Sequence, residues 1–230
     1  MNDFDYDIDA NGVRLGYKTI NTTCTPAKFT IPVNSISDDP DKFVGGATYV
    51  HIQSHIHLSS EHTIDGAYYG AELHMVHATD GAGDRLAVLG TMIRPVLPYD
   101  NPQFEHFLKR WTMLREADDC DCIEHFEFET DDSVEIDVYE NMQGKDFYHY
   151  DGGLTTPTCD ERVWWNFNTE SWNISVRQFQ VMTDIILNHK KLDAVTGECV
   201  LTTNASLGGS TSRPPQPLNG RKVIKVCNFS

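Results

Sequence analysis

Residues 48–58, TYVHIQSHIHL, alternate with a period of two. Val50, Ile52, Ile56 and Leu58 fall on one side, and Tyr49, His51, Gln53, His55 and His57 on the other. This is the pattern of a β-strand whose two faces meet different surroundings, with Ser54 the one polar break on the apolar side. The pattern returns in AELHMVHAT, 71–79, where Glu72, His74, Val76 and Ala78 oppose Leu73, Met75 and His77. RLAVLGTMI, 85–93, is almost continuously apolar and reads as a third strand. Helical signals are fewer. Asn101 before Pro102, followed by Phe104, Phe107, Leu108, Trp111 and Leu114, predicts a capped amphipathic helix, and Ser175 to about Asn188 a second, with Val176, Phe179, Met182 and Ile186 facing inward. The acidic stretch between them, 117–140, is expected to add one or two strands. Strands outnumber helices, and nothing along the chain looks like a domain boundary or a repeat, so one domain is expected over residues 1–230.

The chain has 230 residues and a formal net charge of −16. Nucleic acid and anionic membrane surfaces select clustered Lys and Arg, so such partners are not expected. No apolar run approaches the eighteen residues of a membrane span, and the acidic start MNDFDYDIDANGVRL is unlike a signal peptide. The cysteines Cys24, Cys120, Cys122, Cys159, Cys199 and Cys227 contain no C-x-x-C pair, which favours disulfides over metal thiolates. Asn-x-Ser/Thr sequons at Asn21, Asn173, Asn204 and Asn228 point the same way, toward a secreted glycoprotein in an oxidising compartment.

Six of the ten histidines crowd into His51–His77. On a strand, residues i and i+2 share a face, so His55 and His57 can reach one ion, and a neighbouring antiparallel strand can add His74. Three neutral imidazoles suit zinc with its fourth position open, which is the catalytic arrangement rather than the structural one. Gln53 and Glu72 each lie two residues before a histidine of the trio, on the same face, where a side-chain oxygen can take the remaining ring N–H. His51, His62 and His77 lack that placement and read as packed or hydrogen-bonded histidines. A cupin is the other metalloprotein suggested by His55-x-His57-x3-Glu61, although its proline-glycine turn is missing here. The segment DYDIDANGVRLG fails as a calcium loop, with Ala10 where the turn needs glycine and Gly16 where a bidentate glutamate belongs; it reads as a solvated acidic segment.

SEHTIDGAYYGAELHMVH, YHYDGGLTTPTCDERVWW (148–165) and SRPPQPLNGRKV (212–223), in that order, closely resemble the alpha class of carbonic anhydrases. The resemblance runs discontinuously from about Gly45 to Val223. It implies a mainly β (α+β) single domain on a large, twisted, mostly antiparallel sheet with a few peripheral helices. It further implies a zinc lyase for the reversible hydration of carbon dioxide to bicarbonate and a proton, through zinc-bound hydroxide. His55, His57 and His74 would be the zinc ligands, with Gln53 and Glu72 behind His55 and His74, and His62 paired with Tyr150. Thr155 would accept a hydrogen bond from the hydroxide and donate its own proton to Glu61. Thr156 would face the substrate, and Val76, Val88, Leu154 and Trp165 would form its apolar wall. Zinc lowers the pKa of its water to about 7 in these enzymes.

Residues 1–44 lack the family's usual opening, and are divergent or truncated there. Leu58, Ser59, Ala78 and Thr158 stand where the family usually has tryptophan, glycine, tryptophan and proline. A zinc-free relative acting as a binding or structural module is therefore the second reading. Secreted relatives often bridge the Cys159 position to an N-terminal cysteine, which implies Cys24–Cys159. No histidine precedes His51, which shares the ligands' strand face in this reading. Proton transfer is accordingly expected to limit turnover, with His149 the next residue to consider.

Overall fold

The computed structural model describes residues 5–9, 12–15, 18–21, 28–30, 48–79, 85–109, 145–193, 195–201, 203, 205–206 and 208–226. Its centre is the antiparallel ladder of β5 (Thr48–Leu58), β6 (Ala71–Thr79) and β7 (Leu86–Leu97), the three strands the periodicity predicts. Four short strands precede them: β1 (Asp5–Asp9), β2 (Gly12–Leu15), β3 (Lys18–Asn21) and β4 (Lys28–Thr30). After them come β8 (Phe147–Gly152), β9 (Val163–Asn168), β10 (Trp172–Ser175), β11 (Lys190–Leu192), β12 (Cys199–Leu201) and β13 (Ile224–Val226). Eleven strands join one sheet in the order β13-β8-β9-β7-β6-β5-β1-β2-β3, with β10 on β7 and β4 on β5, while β11 and β12 pair separately. Pairing is antiparallel except where β7 meets β9 and β10. Among the described residues two helices accompany the sheet, α1 at residues 102–109 and α2 at Val176–Asn188, so the expected mainly β architecture holds.

Period two separates the two faces of the central ladder. Ile56 and Leu58 of β5 and Ala71, Leu73 and Met75 of β6 pack with Phe104, Phe107 and Leu108 of α1, Trp172 and Ile174 of β10, and Met182, Ile185 and Ile186 of α2. His55, His57 and His74 therefore occupy the opposite face. Ser175 caps α2 by accepting from Gln178 N at 3.0 Å, and Gln178 Oε1 accepts from Ser175 N at 3.2 Å, a reciprocal capping box. The same Gln178 amide exchanges hydrogen bonds with the main chain of Asn101 (2.9 and 2.8 Å), whose own Oδ1 caps α1 at Phe104 N. Val176 does not face inward as the pattern suggested: it opens the first turn of α2 and is 54% exposed, while Gln178 takes the buried position. Trp111, Leu114 and the acidic stretch 117–140 lie outside the described residues.

The acidic start forms strand β1, which pairs with β2 and aligns Asp5, Tyr6 and Asp7 with His55, Ser54 and Gln53 of β5. The β5–β6 register also shifts between His51 and Gln53, making Ile52 the extra residue of a bulge. A bulge reverses the facing of what precedes it, so His51 pairs with His77, in the series of Leu73 and Met75, and does not share the ligands' face.

One glycine determines how the site's floor packs. Gly90 stands opposite His74 across the ladder, and a Cβ there would meet the Phe167 ring at 2.5 Å. Gly90→Ala is expected to cost about 1–3 kcal/mol by overpacking, which chemical denaturation of the purified protein reads directly; an unchanged midpoint and slope would show that the ring can yield.

Candidate metal centre

Within β5 and β6 the register sets Gln53 opposite Val76, His55 opposite His74 and His57 opposite Glu72. The three imidazoles stand with ring centroids 4.8 Å (His55–His57), 5.1 Å (His55–His74) and 4.8 Å (His57–His74) apart. One nitrogen of each lies within 4.8 Å of the others. The opposite nitrogen of each ring is held from behind: His55 Nδ1 donates to Gln53 Oε1 at 2.7 Å, His57 Nδ1 to the Thr211 carbonyl at 3.3 Å, and His74 Nε2 to Glu72 Oε1 at 2.5 Å. These bonds place the lone pairs on His55 Nε2, His57 Nε2 and His74 Nδ1, all pointing into one space. His57 Nε2 is buried without a hydrogen-bond partner, which is costly unless a ligand completes it. Three neutral nitrogens with oriented backs fit a zinc ion.

Burial supports neutrality. Desolvation, then the neighbouring rings His74 and His57, hold His55 well below the usual imidazole range. Desolvation and His74 bring His57 down to about 4. A depressed folded-state pKa stabilises above the unfolded value of 6.5, and that stability is lost as pH falls through the folded value. For metal-free protein, titration of His57 alone should therefore remove about 3 kcal/mol between pH 6.5 and 4. Denaturant midpoints measured across that window check this, and a midpoint flat from pH 7 to 4 would contradict it.

Glu72 is the centre of the supporting network. Fully enclosed, it accepts from Glu61 N and His62 N through Oε2, both at 2.9 Å, and from His62 Nδ1 at 2.6 Å and His74 Nε2 through Oε1. Burial alone would raise its pKa, but the charge and hydrogen bonds of His62 and His74 outweigh it and keep the carboxyl ionised far below the ordinary range. His62 moves upward, because Glu72 overcomes its desolvation. His62 Nε2 meets the Tyr150 hydroxyl at 2.5 Å. With both nitrogens engaged, His62 is a poor metal ligand, although His62, Glu72 and His74 also lie close enough together to form a group. The hairpin that carries Glu61 and His62 closes at Asp65-Gly66, with φ of 52° and 77° between Ile64 and Ala67, the Asp-Gly turn suited to tight hairpins.

An apolar cluster adjoins the histidines. Val76, Val88, Val163 and Trp165 form it, with Leu86, Tyr150 and Leu154 against them, and the Trp165 ring lies 4.7 Å from that of His74. Trp165 Nε1 donates to Gly153 O at 3.1 Å, fixing the entry to the turn that holds Thr155 and Thr156, both half-buried. That turn is closed by Leu154 N on Asp160 O and Cys159 N on Thr156 O. Glu61 Oε1 accepts from Arg213 N at 2.7 Å and lies 3.5 Å from His57 Nδ1, while Glu61 Oε2 is buried without a partner. No hydrogen bond from Thr155 reaches it.

One expectation is corrected. Cys159 is a free thiol, so the Cys24–Cys159 bridge is absent; Cys199, by contrast, is disulfide-bonded. His149 pairs with Asn166 on the ladder and donates to its Oδ1 at 3.0 Å, whereas Tyr150 pairs with Trp165. His149 therefore belongs to the face away from the histidine trio. Thr211, Arg213 and Phe167 were not foreseen: the first two reach His57 and Glu61 through main-chain atoms, for which the sequence carries no side-chain signal, and Phe167 contributes a ring 4.8 Å from that of His62.

A family model described as eukaryotic-type carbonic anhydrase matches residues 16–227. The carbonic anhydrase of Dunaliella salina is 36% identical over 195 residues, 82% of this chain and 29% of that protein. Alpha carbonic anhydrase 3 of Arabidopsis thaliana is 29% identical over 211 residues, 90% of this chain and 64% of that one. The chain thus spans less than two thirds of either relative. Among solved structures, the alpha carbonic anhydrase of Thermovibrio ammonificans in complex with the inhibitor sulfanilamide superposes with a TM-score of 0.53 at 27% identity, over 77% of this chain and 63% of that one. Dioscorin, at 17% identity and a TM-score of 0.53, shares the fold alone.

Proposed function

The chain belongs to the eukaryotic-type carbonic anhydrase family, and on that premise we propose that it binds zinc through His55, His57 and His74 and catalyses the reversible hydration of carbon dioxide to bicarbonate and a proton. The observation that carries the proposal is the convergence of three imidazole nitrogens within 4.8 Å, each ring fixed from behind by Gln53, the Thr211 carbonyl or Glu72. Bound there, zinc supplies a water acidified toward neutral pH and hence a hydroxide nucleophile. Everything else falls to the protein's own residues. Val76, Val88, Leu154 and Trp165 offer an uncharged, apolar substrate a dry wall beside His74, and Thr156 borders it. Thr155 is assigned as the partner that Glu61 Oε2 lacks: a hydroxyl that donates to a carboxylate has only lone pairs left, so it accepts from the nucleophile and orients it.

The test is carbon dioxide hydration by the purified chain, with and without a chelator. Chelator-sensitive activity that returns with zinc supports the enzyme; a folded chain that takes up no zinc and has no activity leaves a binding module. Thr155→Val is expected to lower kcat by about 100-fold with zinc still bound, measured by steady-state hydration beside metal content, and an unchanged kcat would remove Thr155 from the mechanism. We also place the protein in a secretory, oxidising compartment. The disulfide at Cys199 and the exposed sequon residue Asn173 support this.

A further inference from the structure

The outer edge of β5 changes partner along its length. β1 covers it as far as His55, with Asp5 opposite. Farther on, the edge at Leu58 is taken by residues more than 150 positions away. Thr211 N donates to Leu58 O at 3.1 Å, Ser210 Oγ donates to the same oxygen at 3.2 Å, and Leu58 N donates to Thr211 Oγ1 at 2.8 Å.

In an antiparallel hydrogen-bonded pair the two residues exchange both main-chain bonds, each N–H to the other's carbonyl. Leu58 and Thr211 make only one of the two. The second is not made: Leu58 N–H goes to the threonine hydroxyl, and the Thr211 carbonyl accepts His57 Nδ1–H at 3.3 Å instead. Without the hydroxyl, Leu58 N–H would be left without its acceptor, and the carbonyl of the same residue, Thr211, is a main-chain group that can take it. Turning that carbonyl onto Leu58 N–H would draw it off the line of His57 Nδ1, whose bond to it is already long at 3.3 Å. We propose that the Thr211 hydroxyl is a positioning group for the metal centre, one that frees the carbonyl beside it to fix the tautomer and aim of His57. The inference rests on the zinc reading proposed above and adds a side chain to it.

The tautomer consequence is visible before any metal is added. Metal-free chain should carry the His57 proton on Nδ1, leaving Nε2 as the lone-pair nitrogen, and Thr211→Val should shift the ring toward a mixture of tautomers. Outer partners of metal-bound histidines are worth about 10–100-fold in affinity, so Thr211→Val should weaken zinc by that factor. Thr211→Ser, which keeps the hydroxyl, should stay within about threefold of the parent.

The experiment uses the full chain and its Thr211→Val, Thr211→Ala and Thr211→Ser variants. Zinc affinity is measured by competition with a chromophoric chelator, and the His57 tautomer by long-range nitrogen–proton NMR on metal-free protein; the alanine variant replaces the valine one if the latter does not fold. Weak zinc and a mixed tautomer in the hydroxyl-free variant, with both restored by serine, support the proposal. Parental affinity in the hydroxyl-free variant overturns it, as does a serine variant as weak as the valine one. Failure of the parent chain to bind zinc would overturn the metal reading instead, while the NMR comparison still decides whether the hydroxyl governs His57.

Discussion

His74→Ala is expected to weaken zinc about a hundredfold and reduce carbon dioxide hydration to background, while His62→Ala keeps the parent's zinc affinity. Four-ligand zinc sites gather about 10–16 kcal/mol, so one imidazole is worth about 3 kcal/mol, and its loss weakens zinc on the order of a hundredfold. Of the three candidate ligands His74 has the least freedom, being 1% exposed, facing Gly90 across the ladder and held by Glu72. His62 differs because its two nitrogens are spent on Glu72 and Tyr150. Its removal loosens Glu72 and costs stability, yet leaves all three inward nitrogens in place. Chelator competition and hydration assays on the two variants separate these outcomes, and equal zinc loss in both would refute the assignment.

Glu72→Leu should cost more stability than any other single change at the site, about 3–5 kcal/mol. Its carboxylate is the acceptor for two main-chain N–H groups and two ring nitrogens. Leucine fills a similar volume and accepts none of them, leaving those donors enclosed and unpaired. In a chain of this size the loss corresponds to a fall in Tm of about 10 °C or more. Zinc affinity should drop as well, by about 10–100-fold, since His74 loses the group that fixes its tautomer. Thermal unfolding of metal-free protein gives the first quantity and zinc titration the second. A variant as stable as the parent would mean that water replaces the carboxylate, and that Glu72 is not the hub described above.

The central strands were legible in the sequence because their two faces meet different surroundings: apolar core on one side, the polar histidine trio on the other. That contrast writes itself into β5 and β6 residue by residue. β9 lacks it, since all of VWWNFN is buried, and alternation cannot reveal a strand covered on both faces. The parallel partnership of β7 with β9 and β10 was equally hidden, as it depends on a crossover rather than on local pattern. The bulge at Ile52 carries no special residue, so strict alternation placed His51 with the ligands. The trio itself was readable from spacing on paired strands, and Gln53 and Glu72 from the same rule. Thr211 was not, because what it offers His57 is a main-chain carbonyl positioned by a long-range contact.

The most direct test of the whole account is X-ray absorption at the zinc edge on the purified chain loaded with one equivalent of zinc. The account predicts four light scatterers at about 2.0–2.1 Å, three of them imidazole nitrogens and one oxygen, with the multiple-scattering signature of the rings reduced in His74→Ala. A spectrum with sulfur at about 2.3 Å, or one unaffected by that substitution, would place the metal elsewhere and contradict it.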